Sequence, residues 1–393
     1  MPLVHLSDMI NHAYRHGYAV GAFGVTDLHF LRGIMQAAES CRAPVVLNLI
    51  EAHFEDDEFE LLMPAVTAAA RRADVPVAIN FDHGTSLAAA ERAIRAGCNG
   101  VMVDTSALAF SENMWQTRDI VAMAHACGIT VEGELGYVPG IEGENARQHP
   151  GELAYTSAAE AVGFIEHTGV DCLAVSVGTV HGRMKGVPRL DYARLAKIKE
   201  ATSVPLVIHG GTGLSDDQFR RMIANGVAKI NYYTALADVA SRRIAANVAA
   251  MRKGSHSQLL TGVSDAVREE AARCMRLWGS GGRAAEVLAQ CRRWQPVNHV
   301  VLYNVTEGLS EDKLSSIIRE GKTSLQCIPG VLDIRTSKII QSDDKYSYCL
   351  QTDLVSEESL AAYRKHPAYL HFFSKGFWSI AADHTTLDIR ESG

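Results

Sequence analysis

The segment VPVAINFDHG (75–84) begins as an apolar run and ends in an acid, a histidine and a glycine. Two later segments close the same way, CLAVSVGTVHG (172–182) and VPLVIHGG (204–211). Their apolar residues follow one another rather than alternate, which suits strands covered on both faces, as in a parallel sheet. Working outward, AVGAF (19–23), PVVLNLI (44–50), GVMVD (100–104), TVEGEL (130–135) and VAKINYY (227–233) share this character. With VPVAINF (75–81), CLAVSVG (172–178) and VPLVIHG (204–210), they make eight predicted strands. Between them lie segments with helical spacing, such as LHFLRGIMQAAESC, SLAAAERAIRAGC and SDDQFRRMIANG, the last with Ser215 as N-cap and Gly226 as C-cap. Strand then helix, repeated over about 250 residues, predicts a (β/α)8 TIM barrel. The rival, a doubly wound sheet, usually carries a GxGxxG turn after its first strand, and none stands here.

The pattern changes after the helical VREEAARCMRLWGSGGRAAEVLAQCRRW. From Val297 the order reads β-α-β-β-α-β, through VNHVVLYNV, EDKLSSIIREGKTSL, VLDIRTSKI, YSYCLQTDL, SEESLAAYRKHPAYLHFFSKG and HTTLDIR. That is a ferredoxin-like α+β module. The boundary falls near Trp294–Pro296, giving expected domains of 1–288 and 296–393.

In 393 residues, 47% hydrophobic content and 21% charge suit a soluble globular protein of two domains. A net charge of −7 gives no reason to expect nucleic acid or an anionic membrane as partner. The N-terminus lacks the apolar core of a secretory signal, and no apolar run is long enough to span a membrane. The eight cysteines are scattered without a CxxC pair, so they read as reduced thiols of a cytoplasmic protein.

Barrel active sites gather at the C-terminal ends of the strands. His83, His181 and His209 are expected there together, and three imidazoles with an open position suit a catalytic Zn²⁺. A lone histidine in a glycine turn is more often structural; three at equivalent strand ends point to metal. Asp82 adjoins one of them, where a carboxyl group exchanges protons with a substrate oxygen or else caps the next helix. Asp104 and Glu134 end strands 4 and 5; they read as partners of the ligands, alternate metal ligands or solvated loop acids. Glu142 lies in VPGIEGEN, a loop suited to closing over substrate with a base, or simply a surface loop. Barrels often bind phosphate on the loops after strands 7 and 8. Backbone N–H groups of Gly182, Gly211, Thr212 and Gly213, with Lys185, Asn231 and Thr234, are the candidates here.

FDHG, VEGELG, GTVHGRMKG, VIHGGTG, KINYYT and MRLWGSGGRA resemble the class II aldolases, zinc-dependent ketose-bisphosphate enzymes of the fructose- and tagatose-bisphosphate type. The likeness covers about residues 1–288. It implies that His83, His181 and His209 bind Zn²⁺ and that Asp82 donates a proton to the aldehyde oxygen. It also implies that Glu142, eight residues after Glu134, is the mobile general acid/base. The dihydroxyacetone phosphate group falls on the glycine loops, Lys185, Asn231 and Thr234, with a monovalent cation often nearby. A metal acting as Lewis acid makes a Schiff-base lysine unnecessary.

The chain departs from that family at the mouth of strand 2. A serine and glycine usually help hold a distal phosphate there; here stand Ile50, Glu51, Ala52 and His53. Tyr233 replaces an acid or amide, Gly24 replaces an asparagine, and an arginine usual after Thr234 is missing. The expected activity is therefore reversible cleavage of a ketose 1-phosphate to dihydroxyacetone phosphate and an aldehyde, without need of a distal phosphate. The alternatives are a fructose- or tagatose-bisphosphate aldolase, a non-catalytic sugar-phosphate-binding subunit, or a scaffold with a decayed barrel. The intact Asp82, Glu142 and three histidines favour the enzyme.

The tail resembles the Dabb family, the stress-responsive dimeric α/β-barrel modules, through VNHVVLYNV, CIPGVLDI and AAYRKHPAY with Tyr363, His366 and Pro367. That resemblance implies pairing through sheets and a homo-oligomer, dimer or tetramer. His299 and His366 are expected in the core or interface, or alternatively in a small-molecule pocket.

Overall fold

The computed structural model describes residues 2–138, 140, 145–146, 155–184, 189–251, 254–340 and 345–390. Its contacts divide the chain into two compact units, one of Met1–Ala90, Cys98–Val121 and Thr130–Arg293, the other of Glu91–Gly97, Ala122–Ile129 and Trp294–Gly393.

The first unit holds a closed barrel of eight parallel strands. These are β1 (Val20–Gly24), β2 (Val45–Ile50), β3 (Val77–Gly84), β4 (Gly100–Val103), β5 (Thr130–Leu135), β6 (Cys172–Val175), β7 (Leu206–Ile208) and β8 (Val227–Tyr232). Each pairs with its sequence neighbours, and β8 closes on β1. β1, β2, β4, β5, β6, β7 and β8 are buried at every residue, as expected of strands covered on both faces, and β5 and β8 carry Glu132, Glu134, Lys229 and Asn231 among these buried residues. Several strands end sooner than the apolar runs suggest. β6 stops at Val175, so His181 stands on the following loop and not at a strand end.

The helix Leu6–His16 buries Leu6, Met9, Ile10 and Ala13 against Val20, Ala22, Val46, Ala78 and Val207 of the strands. Ser215 caps the helix Asp216–Ala224 in a capping box with Gln218. The C-terminal cap is Asn225; Gly226 follows with φ of +97°, one residue beyond its expected place.

The second unit contains an antiparallel sheet of β9 (Val297–Val305), β10 (Val331–Lys338), β11 (Tyr348–Leu354) and β12 (Ala381–Arg390), in the order β10-β11-β9-β12. Val301, Tyr303, Ile334, Leu350 and Leu354 pack with Leu325, Tyr363, Phe372 and Phe377 on one face. Leu387 and Ile389 of β12 remain exposed. All eight cysteines are free thiols. Among the described residues no helix is long and apolar enough to cross a membrane.

Candidate active site

β3 carries Asp82 and His83 to the mouth of the barrel. His83 has a φ of +50°, the left-handed region that a residue with a Cβ seldom adopts. Such backbone strain clusters at working sites. His209 follows β7 directly. The next residue, Gly210, also has positive φ (+71°), and a Cβ there would meet the Val180 carbonyl oxygen at 2.1 Å. Only glycine lets the His209 turn approach the loop that carries His181. The three imidazoles thus converge, with ring centroids 4.9 Å apart for His83–His181, 4.8 Å for His83–His209 and 5.7 Å for His181–His209.

Ligand atoms of His83, Glu134, His181 and His209 all lie within 4.8 Å of one another. Carboxylates fix two of the rings. His83 Nδ1 donates to Asp104 Oδ2 at 3.0 Å, and Asp104 Oδ1 is itself held by the Ser106 N–H and hydroxyl. His209 Nε2 donates to Glu132 Oε1 at 2.8 Å. In the neutral rings this leaves the lone pairs on His83 Nε2 and His209 Nδ1. His209 Nδ1 and Glu134 Oε2 are buried and face each other at 2.8 Å, an ion pair when the ring is protonated, and neither has a hydrogen-bond partner of good geometry among the described residues. Buried polar atoms left in that condition are costly. A divalent cation bound by both satisfies them, so the donor set fits a metal.

Asp82 is buried beside this cluster. Asn48 Nδ2 and Asn231 Nδ2 both donate to its Oδ2, at 2.7 and 2.9 Å. Asn80 Nδ2 in turn holds Asn48 Oδ1 at 2.8 Å. Asp82 Oδ1 has no partner among the described residues. Beneath lies Lys229, fully buried, whose Nζ donates to Glu132 Oε2 at 2.6 Å and Asn231 Oδ1 at 2.7 Å.

Burial alone would lower the pKa of His83, but the Asp82 charge and the Asp104 hydrogen bond outweigh it and raise it to about 9. Burial would also lower His209, and Glu134 and Glu132 hold it well above its ordinary value instead. Burial would raise Asp104; the bond from His83 keeps its carboxyl well below the usual range. Burial would likewise raise Glu132, and Lys229 and His209 lower it. Protons and a divalent cation compete for the same imidazole lone pairs.

The glycine loops meet the N-terminus of the helix Thr234–Ala250. Thr212 Oγ1 accepts the Ala235 N–H at 3.2 Å, and a Cβ on Gly213 would project into open space. Gly182 and Gly213 both have positive φ. Arg183, beside Gly182, forks onto Asp238 of that helix, with Nε 2.8 and 3.0 Å from its two oxygens. Loop N–H groups at a helix N-terminus make an anion site. Asn231 and Thr234 are buried at this end of β8, with the Asn231 amide turned toward Asp82 and Lys229. Lys185 and Glu142 lie outside the described residues.

A cavity of about 330 Å³ opens from His83, His181 and Asp104 toward Ile50, Ala52, His53, Tyr137, Val138 and Gly140. The three departures at the mouths of strands 1, 2 and 8 form one group here. The Tyr233 ring lies 4.1 Å from that of His53, and a Cβ at Gly24 would come within 2.7 Å of Tyr233. Glu51 Oε2 accepts the Thr85 N–H at 2.6 Å, which fixes a negative charge at the strand 2 mouth.

Sequence reasoning missed Glu132, Lys229, Asn48, Asn80 and the Arg183–Asp238 pair. A lysine and a glutamate inside apolar strands were the available signal, since a buried charge requires a partner.

A parallel barrel with histidines and carboxylates grouped at the C-terminal mouth, able to hold a metal ion, has the layout of a barrel enzyme. The family model of class II fructose-bisphosphate aldolase matches residues 4–283, and that of the stress-responsive A/B barrel (Dabb) domain matches 297–390. The chain belongs to the class II fructose-bisphosphate aldolase family, and so is an aldolase, a lyase, with a Dabb domain at its C-terminal end. It is 36% identical over 288 residues to a probable fructose-bisphosphate aldolase of Bacillus subtilis (strain 168), across 72% of this chain and 100% of that one. Among solved structures, the YdjI aldolase of Escherichia coli K12 shares 32% identity and a TM-score of 0.63 over 72% of this chain and 99% of its own. A putative fructose-1,6-biphosphate aldolase of Coccidioides immitis shares 28% and a TM-score of 0.65, over 72% and 98%.

Proposed function

We propose that the chain is a zinc-dependent aldolase that reversibly cleaves a ketose 1-phosphate to dihydroxyacetone phosphate and an aldehyde, and needs no phosphate on the aldehyde half. The observation that carries this reading is the cavity wall away from the glycine loops. Ile50, Ala52, His53, Tyr137 and Val138 line it, with no lysine or arginine among the described lining residues.

His83, His181 and His209, with Glu134 alongside, are the residues that would hold the metal, and imidazoles with one carboxylate suit Zn²⁺. Held there, Zn²⁺ supplies Lewis-acid polarisation of the ketose oxygens. Asp82 works through Oδ1, the oxygen that the two amides leave open. In cleavage the C3–C4 bond breaks and its electrons stay on C3. The C4 hydroxyl proton goes to Asp82, and Glu142 delivers a proton to C3. Synthesis runs both transfers backward. Gly182, Gly211, Thr212, Gly213, Lys185, Asn231 and Thr234 bind the C1 phosphate, with a monovalent cation nearby.

Residues 1–288 form the catalytic domain and 296–393 an assembly domain that makes a homo-oligomer, a dimer or tetramer. Free thiols throughout suit the cytoplasm. The names of the relatives favour a second reading, a fructose 1,6-bisphosphate aldolase. Metal analysis followed by a screen of ketose 1-phosphates and bisphosphates for dihydroxyacetone phosphate release tests both. A protein that releases none from any of them, loaded with Zn²⁺, is not this enzyme.

A further inference from the structure

Lys229 and Glu132 lie fully buried below the candidate metal cluster, between a histidine of that cluster and the acid Asp82. Removing two charges from water is expensive, and such a pair persists only where its hydrogen bonds are complete. Lys229 and Glu132 are each hydrogen-bonded beyond the pair, and those bonds point two ways. Glu132 Oε2 accepts from Lys229, and from the Cys172 thiol at 3.7 Å, while Oε1 accepts from His209 Nε2. An ammonium has only protons to offer. Asn231 must therefore turn its oxygen to Lys229, which sends its amide N–H to Asp82.

We propose that the Lys229–Glu132 pair is the positioning element of the site: it fixes His209 as the Nε2–H tautomer, with Nδ1 facing the metal, and through Asn231 it leaves Asp82 Oδ1 open to substrate. The inference rests on the metal reading above and concerns which ring atom binds and why. Asp82, Glu132 and His209 also group closely enough to draw a cation of their own. The Lys229 ammonium, 2.6 Å from Glu132, already supplies that charge. Lys229 touches neither substrate nor metal in this scheme; it acts through Glu132 and Asn231.

Glu132→Gln separates this role from simple structural support. The glutamine offers one oxygen, and Lys229 can only donate, so it claims that oxygen. The amide NH₂ then faces His209 Nε2, the ring proton moves to Nδ1, and the metal loses its lone pair. Zn²⁺ affinity, measured by chelator competition on full-length protein, should fall roughly 10- to 100-fold, the usual effect of losing a ligand's hydrogen-bond partner. In the double variant Glu132→Gln/Lys229→Met the oxygen is released to turn back to His209, and affinity should recover most of that loss. A purely structural role predicts a double variant at least as weak as the single one. Folding of each variant is checked by circular dichroism.

A measurement without variants runs beside this. Histidine-selective ¹⁵N NMR of the Zn²⁺-loaded wild-type protein should show His209 protonated at Nε2 and coordinated through Nδ1. Coordination through Nε2, or a folded double variant without recovery, overturns the positioning role. Failure of the wild-type protein to bind Zn²⁺ at all overturns the metal reading instead.

Discussion

Asn48 donates to Asp82 Oδ2 at 2.7 Å, and that bond decides which oxygen of the acid is left to react. With Asn231 on the same atom, Oδ1 is the oxygen left open among the described residues. Asp82→Asn keeps the shape and removes the exchangeable proton. We expect kcat to fall roughly 10²- to 10⁴-fold, the usual value of general acid–base catalysis, with metal content and KM little changed. Steady-state kinetics with metal analysis checks this, and an unimpaired kcat rules Asp82 out as the proton donor.

The metal prediction follows from two buried atoms, His209 Nδ1 and Glu134 Oε2, that lie 2.8 Å apart and have no hydrogen-bond partner among the described residues. Purified protein should hold about one divalent ion per chain. His209→Ala should abolish both binding and activity. Asp104→Ala removes only the partner of His83 Nδ1, and should weaken binding about 10- to 100-fold. Equal affinity in Asp104→Ala and wild type would show that Asp104 does not orient the ring.

The barrel was legible because its strands are buried on both faces, which leaves an unbroken apolar signature such as VVLNLI in β2. The same signature concealed where β6 ends. Ser176, Val177 and Gly178 continue the apolar run, but the strand stops at Val175, and His181 reaches the site from a loop. The polar network was harder to read because its members are spread over several separate strands. Pairs two residues apart share a face: Glu132 with Glu134, Lys229 with Asn231, Asn80 with Asp82. That spacing is visible in the sequence. Which strands bring those faces together is set by barrel closure, a long-range fact that local patterning does not contain. Gly24, His53 and Tyr233 likewise read as three separate departures, and packing joins them into one.

Assembly is expected to use the open face of the Dabb sheet. Leu387 and Ile389 are 46% exposed and two residues apart on β12, away from the core that Val301 and Tyr303 help form. An exposed apolar pair on a sheet face is a natural contact between copies. Leu387→Glu/Ile389→Glu should lower the oligomeric state seen by light scattering and leave the secondary structure intact. An unchanged oligomer would place the contacts elsewhere.

His299 gives this domain a pH dependence. Burial lowers its pKa, which outweighs the hydrogen bond from Nδ1 to Asp388 at 2.8 Å. The unfolded chain binds this proton near pH 6.5 and the folded chain only at lower pH. Between those values the unfolded state holds more protons, so stability is full above about pH 6.5 and declines as pH falls toward the depressed value. His299→Asn keeps a donor for Asp388 and removes the titration. The drop in thermal midpoint between pH 7.5 and pH 5.5 should be smaller in the variant than in wild type. Equal drops would remove His299 as a cause.

The substrate prediction comes from the mouth of strand 2. Ile50 offers no donor there, and Glu51 is fixed by the Thr85 N–H. His53, its ring tilted 42° against that of Tyr233, is a polar side chain of that wall, as is Tyr137. A phosphate carries nearly two negative charges, and holding it near a carboxylate in a partly desolvated pocket without a cation costs on the order of several kcal/mol. An uncharged hydroxylated tail meets no such penalty, and His53 supplies a hydrogen bond to it. Ketose 1-phosphates with neutral tails should therefore have a higher kcat/KM than fructose 1,6-bisphosphate. His53→Ala should raise KM for those substrates by about fivefold, the worth of roughly 1 kcal/mol from one hydrogen bond. The comparison is direct: kcat/KM for fructose 1-phosphate, for longer ketose 1-phosphates and for the bisphosphates. A bisphosphate preferred tenfold, about 1.4 kcal/mol in transition-state binding, would mean that a cation from another loop reaches this wall and that the distal phosphate is part of the natural substrate.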